Sequence, residues 1–166
     1  MSRQLTRALC QLIVLALAMV AAVVSTHSAF AQFADKKKLT LAAAQKMVAA
    51  AQAEAERNHL AGVIAVVDDG WPILLLRMDN SAYLASVELA PGKARIAALF
   101  KKPSQDLHDA INHGRTAAVT AGDFVEMQGG LPIVVDGQVV GGIGASFDTP
   151  AHDVQISGAA LAALSR

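Results

Sequence analysis

Cysteine is nearly absent from this chain: Cys10 is the only one among 166 residues. A single Cys cannot close an internal disulfide, and without Cys/His pairs at ligand spacing a dedicated zinc site is not expected. Aromatic residues are almost as scarce, with one Trp, one Tyr and five Phe. Charge of one sign is missing too, since fourteen Lys and Arg face fourteen Asp and Glu. A nucleic-acid partner asks for a basic surface and stacking aromatics, so none is expected. Small and aliphatic residues abound instead. Hydrophobic types make up 54% of the chain, ample for the core of one domain.

The N-terminus reads as an export signal. Arg3 and Arg7 precede an uncharged apolar run from Leu12 to Val24, and Ala29-Phe30-Ala31 follows as a small-x-small motif. That order marks a secretory signal peptide, expected to be cut before Gln32. The run is shorter than the ~20 residues that span a bilayer, so no stable membrane insertion is expected after cleavage. Cys10 lies ahead of the apolar run, whereas a lipid-modified cysteine would follow it, which excludes a lipoprotein. Removal of residues 1–31 takes away Arg3, Arg7 and His27, leaving a slightly acidic chain with four histidines and no cysteine. The expected organisation is a signal peptide over 1–31, a flexible lead-in over 32–38 and one domain over 39–166, periplasmic or secreted.

Thr40 is placed to cap a helix whose apolar positions Leu41, Ala44, Val48, Ala51 and Ala55 step by three and four, with Asn58-His59 as its exit. Val63 to Val67 is a continuous apolar run, the mark of a strand covered on both faces. Asp69-Gly70 turns it into a second strand, Pro72 to Met78. Leu84 to Phe100 reads as helix, interrupted or restarted at Pro91-Gly92. Ser104 to His113 is a shorter helix that opens after Pro103 and is ended by Gly114. Two β-branched runs then flank Asp136-Gly137, which predicts a hairpin with a type I′ turn. Thr149-Pro150 opens the last helix, with Asp153 in its first turn. The order α-β-β-α-α-β-β-α predicts an α+β fold: a single antiparallel sheet built from two hairpins and flanked by helices.

Glycine concentrates on the return strand of the second hairpin at Gly141, Gly142 and Gly144, with Gly129-Gly130 ahead of it. Each glycine weakens a strand interior, so this density predicts the close approach of another backbone or of a flat ligand. The stretch also carries a family likeness. It includes Gly129-Gly130-Leu131-Pro132-Ile133, Gly137 and Gly141-Gly142-Ile143-Gly144-Ala145-Ser146. Ahead of these stand Leu39-Thr40, Val63-Ile64-Ala65-Val66-Val67-Asp68, Gly70, Arg77-Met78-Asp79, Ser86 and Lys93-Ala94, and Asp153 follows. In this order the chain resembles the GlcG/HbpS family of haem-binding proteins, which is related to the C-terminal domain of PduO-type proteins. The resemblance covers nearly all of residues 39–164. It departs at Phe147-Asp148, where members commonly continue Ser-Gly-Gly. It implies a sheet-and-helix domain that forms a homo-oligomer, with haem as the cofactor of some members. Other members stand beside glycolate or diol metabolism.

A haem site needs an apolar slot, an axial ligand and cations for the propionates. The alternative axial ligands are His152, His113 and His59, with His108, Met78, Met127 and Tyr83 behind them. Asp109 and His113 share a helix face at i, i+4, either as an oriented ligand or as an exposed helix pair. His152 falls where a helix N-terminus favours the neutral imidazole that binds iron. Lys93, amid Ala90, Ala94, Ala97 and Ala98, can serve a propionate or a small anionic ligand as a point charge. Its plain alternative is a lysine whose stem packs while its head finds water. Gly130, Gly142, Gly144 and Ser146 line the expected slot.

Catalysis finds less support. Gly144-Ala145-Ser146-Phe147-Asp148 approaches the Gly-x-Ser-x-Gly elbow of hydrolases, but Asp replaces the last glycine and the parallel hydrolase sheet is not predicted. No His-Glu-x-x-His motif or P-loop is present. The sequence therefore reads as an exported oligomeric binding protein for haem or a similar planar ligand, serving uptake, storage or sensing. One alternative is an enzyme or accessory factor for a small hydroxy acid such as glycolate, with Lys93 on the carboxylate. The other is a non-catalytic interaction subunit.

Overall fold

The structure is a computed structural model that describes residues 35–79, 82–120, 122 and 124–164. The expected signal peptide, and residues 32–34 of the lead-in, lie outside the described residues. Helix α1 (Leu41–Arg57) starts at the expected cap: the Thr40 hydroxyl accepts the Ala43 N–H at 3.2 Å, giving a partner to one of the first-turn donors that no helical carbonyl can reach. Its buried face is Ala44, Met47, Val48, Ala51 and Ala55. Leu41, expected in that stripe, is exposed on the first turn. Met47, three residues after Ala44, takes a buried place in the stripe instead.

Strands β1 (Val63–Val67), β2 (Pro72–Arg77), β3 (Gly130–Val135) and β4 (Gln138–Ser146) form one antiparallel sheet in the order β2-β1-β4-β3. The two hairpins join through β1 and β4, with Val63 opposite Ser146 and Val67 opposite Gly142. Asp136 and Gly137 both have positive φ, 48° and 75°, as a type I′ turn requires. Alternate residues sort to two faces. Ile64, Val66, Ile143 and Ala145 pack with α1 and with helix α4 (Pro150–Leu164). Val63, Ala65 and Val67 pack with Ala90, Ala94 and Ala98 of helix α2 (Ser86–Phe100) on the other face. The sheet is thus the middle of three layers, which is why every residue of β1 is buried.

Helix α2 runs unbroken through Pro91, contrary to the expected interruption. A proline inside a helix costs about 3 kcal/mol. Burial of Ala90, Lys93, Ala94, Ile96, Ala97 and Ala98 against the sheet and its surroundings holds the helix together regardless, since one buried Ile alone contributes about 1.5–3 kcal/mol. Helix α3 (Ser104–Asn112) follows, then a 3-10 turn over Thr116–Thr120 that no periodicity announces. Thr149 caps α4 as expected, its hydroxyl accepting the His152 N–H at 3.3 Å. The described residues from Lys37 onward form one compact unit. Among the described residues no helix is long and apolar enough to cross a membrane.

Candidate functional site

The glycines of β3 and β4 form the floor on which α2 lies. A Cβ on Gly142 or Gly144 would stand 2.2 Å from the carbonyl oxygen of Ala94 or Ala90, and one on Gly130 would stand 2.1 Å from that of Lys93. The close approach read from the sequence is therefore made by a helix backbone at Gly130, Gly142 and Gly144, and by the β1 main chain at Gly141, where a Cβ would stand 2.2 Å from the Val67 carbonyl oxygen. This corrects the expected slot: Gly130, Gly142 and Gly144 lie beneath α2, because a helix this rich in alanine settles to backbone contact with a bare strand.

Lys93 of α2 and Asp153 of α4 meet at the start of β3, where Asp153 lies against Gly129. Lys93 is 1% exposed; its Nζ donates to Asp153 Oδ2 at 2.7 Å and to the Ala145 carbonyl at 3.1 Å. Asp153 Oδ1 accepts the Phe147 N–H at 2.6 Å. Burial pushes the Asp153 carboxyl above the usual range, and the hydrogen bond and charge of Lys93 oppose that shift. Nearby, Ser157 donates to the Gly129 carbonyl at 2.7 Å, and Ser104 donates to Met127 while accepting the Gly130 N–H. The anion that Lys93 serves is thus Asp153 of its own chain, a correction to the ligand-gripping role. A lysine buried among alanines needs a buried acid, and Asp153 was the available signal. Ser146 is buried as well and bonds the Ser86 hydroxyl at 3.0 Å, a structural contact in place of a nucleophile's elbow.

The described histidines lie on or just after three helices. On α3, the Asp109 carboxylate bonds His108 Nδ1 at 3.1 Å, while His113 Nδ1 meets the Asp109 main-chain carbonyl at 2.6 Å. The i, i+4 pair of Asp109 and His113 therefore runs through backbone and not carboxylate. His152 Nδ1 lies 2.7 Å from Asp148 Oδ1. The hydrogen bond from His152 is the leading cause that holds the Asp148 carboxyl below its usual range. His59 follows the cap residue of α1 and lines a groove of about 560 Å³ together with Leu76, Arg77 and Met78 from the end of β2. Among the described residues no group of three or more His, Cys, Asp or Glu can hold a metal ion.

An aromatic cluster escaped the sequence reading. The Arg95 guanidinium lies 5.3 Å from the ring centre of Trp71 and 5.5 Å from that of Phe124, on which Phe100 packs edge-on at 5.2 Å. These residues are too scattered along the chain for any spacing rule to join them.

Residues 39–162 match the HbpS-like family, described as "Haem degrading protein HbpS-like". The chain belongs to this family. It is 43% identical to Protein GlcG of Escherichia coli over 104 residues, 62% of this chain and 77% of that protein. Among solved structures, the HbpS-like fold here is similar to the PduOC:heme complex, with 30% identity and a TM-score of 0.70 over 76% of this chain and 95% of that one. It is similar also to HbpS, with 28% identity and a TM-score of 0.73 over 82% and 96% of the two chains.

Proposed function

We propose that this protein is an exported, homo-oligomeric haem-binding protein. The likeness to the PduOC:heme complex in both sequence and shape carries the reading. The donor set fits the group. A bare divalent cation asks the protein for several ligands, and the described residues hold no such cluster. Haem brings four equatorial nitrogens and asks the protein for one or two axial donors, and His59 and His113 are exposed while His152 is partly so. Bound haem supplies an iron centre able to change redox state. The chain would hold it through one of His59, His113 and His152.

The order of Arg3, Arg7, the apolar run and Ala29-Phe30-Ala31 supports export. Trp71 and Leu84 stand exposed at 70% and 74%, and large apolar side chains of this kind support contact between copies in a closed assembly. Hemin titration of residues 32–166 tests the central point: a saturable Soret shift is expected, with light scattering reporting more than one subunit. If the folded protein binds no hemin, the reading fails and a small hydroxy acid becomes the leading ligand. The family's description favours a second reading, in which bound haem is broken down. A Soret band that decays faster than that of free hemin under added peroxide would select it.

A further inference from the structure

Resting on the homo-oligomeric reading, we infer that two copies join edge to edge through β2 about a two-fold axis, so that their four-stranded sheets run on as one of eight strands. The sheet has two edges, β2 and β3, and only β3 is closed to a further strand. The Ala145 N–H bonds the Gly129 carbonyl, and antiparallel pairing alternates, so the main-chain groups of Gly130 and Pro132 point away from β4. The Gly130 N–H is already taken by the Ser104 hydroxyl at 2.8 Å, and Pro132 has none to give. A register shift between Ile133 and Val134 disrupts the rest of that edge.

On β2 such guards stand only at the start, where Pro72 and the register shift opposite Val66 and Val67 lie. Ile73 to Leu76 is apolar and uncharged. The Met78 N–H bonds the Gly62 carbonyl on the β1 side at 2.9 Å, so by the same alternation the main-chain groups of Leu75 and Arg77 turn outward. An apolar margin runs beside them. Leu75 shares the α2 side of the sheet with Ala65, its cross-strand partner, and is 37% exposed, with Leu99 at 45% and Trp71 more open still. Trp71 lies on Arg95 of α2, and Leu99 lies against Gly70.

A second copy is the partner that this edge fits. With the axis beside Leu75, each Leu75 meets its counterpart, N–H to carbonyl in both directions. The two Arg77 side chains, the only charges on the paired strands, are then offset by about 13 Å along them. Parallel pairing would set them side by side, where like charges destabilise. Pairing of β2 with the β3 of another copy would repeat without closing, and the guards on β3 oppose it.

The test combines light scattering with amide hydrogen exchange on the unsubstituted protein, Leu75→Lys, Leu75→Pro and Val134→Lys. Leu75 is partly exposed and its N–H faces away from β1, so its two variants are expected to keep the subunit fold. Each should halve the number of subunits in the assembly, and Val134→Lys, on the other edge, should leave it unchanged. The Arg77 N–H should exchange about tenfold more slowly in the unsubstituted protein than in Leu75→Lys. The emission of Trp71, the only tryptophan, should shift to the red in that variant. A folded Leu75→Lys with an unchanged subunit number overturns the edge. So does an Arg77 N–H that exchanges freely in the unsubstituted oligomer, a result that needs no variant. An unsubstituted protein that is monomeric at micromolar concentration overturns the homo-oligomeric reading itself.

Discussion

Exchanging Lys93 for Met leaves Asp153 buried without its counter-charge. The methionine stem keeps most of the packing among Ala90, Ala94 and Ala97, so the main change is electrostatic. The pair is 2.7 Å long, with side chains 2% and 6% exposed. Breaking one partner of such a pair costs about 3–5 kcal/mol, on the order of 10–20 °C in melting temperature for a domain of this size. Asp153→Asn should cost a similar amount, because Lys93 then keeps the Ala145 carbonyl but loses its anion. The double variant Lys93→Met/Asp153→Asn removes both charges, and the new amide oxygen can still accept the Phe147 N–H. Neutral replacement of a whole buried pair is often close to neutral, so the double variant should lie within about 2 kcal/mol of the original protein. Burial already raises the Asp153 carboxyl. The folded state therefore binds this proton more tightly than the unfolded state, and the group's contribution to stability falls as pH rises from 3.8 through its raised value. Without Lys93 the window extends upward, so Lys93→Met should be less damaging at pH 5 than at pH 8. Urea unfolding of the four proteins at both pH values checks this. Additive single costs, or a Lys93→Met loss that ignores pH, would refute the coupling.

Other outcomes are as definite. Gly144→Ala sets a methyl against a main-chain oxygen that no rotamer can avoid and should cost about 1–3 kcal/mol or more. Gly158→Ala, inside α4 with open space around it, should gain about 0.5–1 kcal/mol. Denaturation midpoints that move in the same direction would contradict the helix-on-glycine packing. In a carboxyl NMR titration, Asp148 should titrate below 3.8 and Asp153 above it. His152→Ala should return Asp148 toward its ordinary value. The Asp148 contribution to stability is present above that ordinary value and lost as pH falls through the depressed one; its exposure keeps the effect small. Titration of Asp148 above Asp153 would be inconsistent with the pairing geometry.

Several features were legible in the residues because they act over a few positions. Thr40 and Thr149-Pro150 mark helix starts whose capping bonds span three residues. Asp136-Gly137 tolerates two consecutive positive φ values and so sets the β3–β4 turn. The unbroken apolar run of β1 already requires cover on both faces, and the order of elements follows from such signals.

Tertiary structure decided what distant residues do to one another. The glycines announced a close neighbour, yet only the seating of α2 on β4 distinguished a helix backbone from a ligand. Pro91 signals a break on local grounds, and burial of the whole helix outweighs it. Lys93 and Asp153 are 60 positions apart; no spacing rule links them, and the strand order β2-β1-β4-β3 brings their elements together. The same folding sets His59, just after α1, in one groove with Met78 from the end of β2. Caps and turns are local equilibria that a short sequence can specify, whereas counter-charges and grooves exist only once the sheet has closed the long loops between their parts.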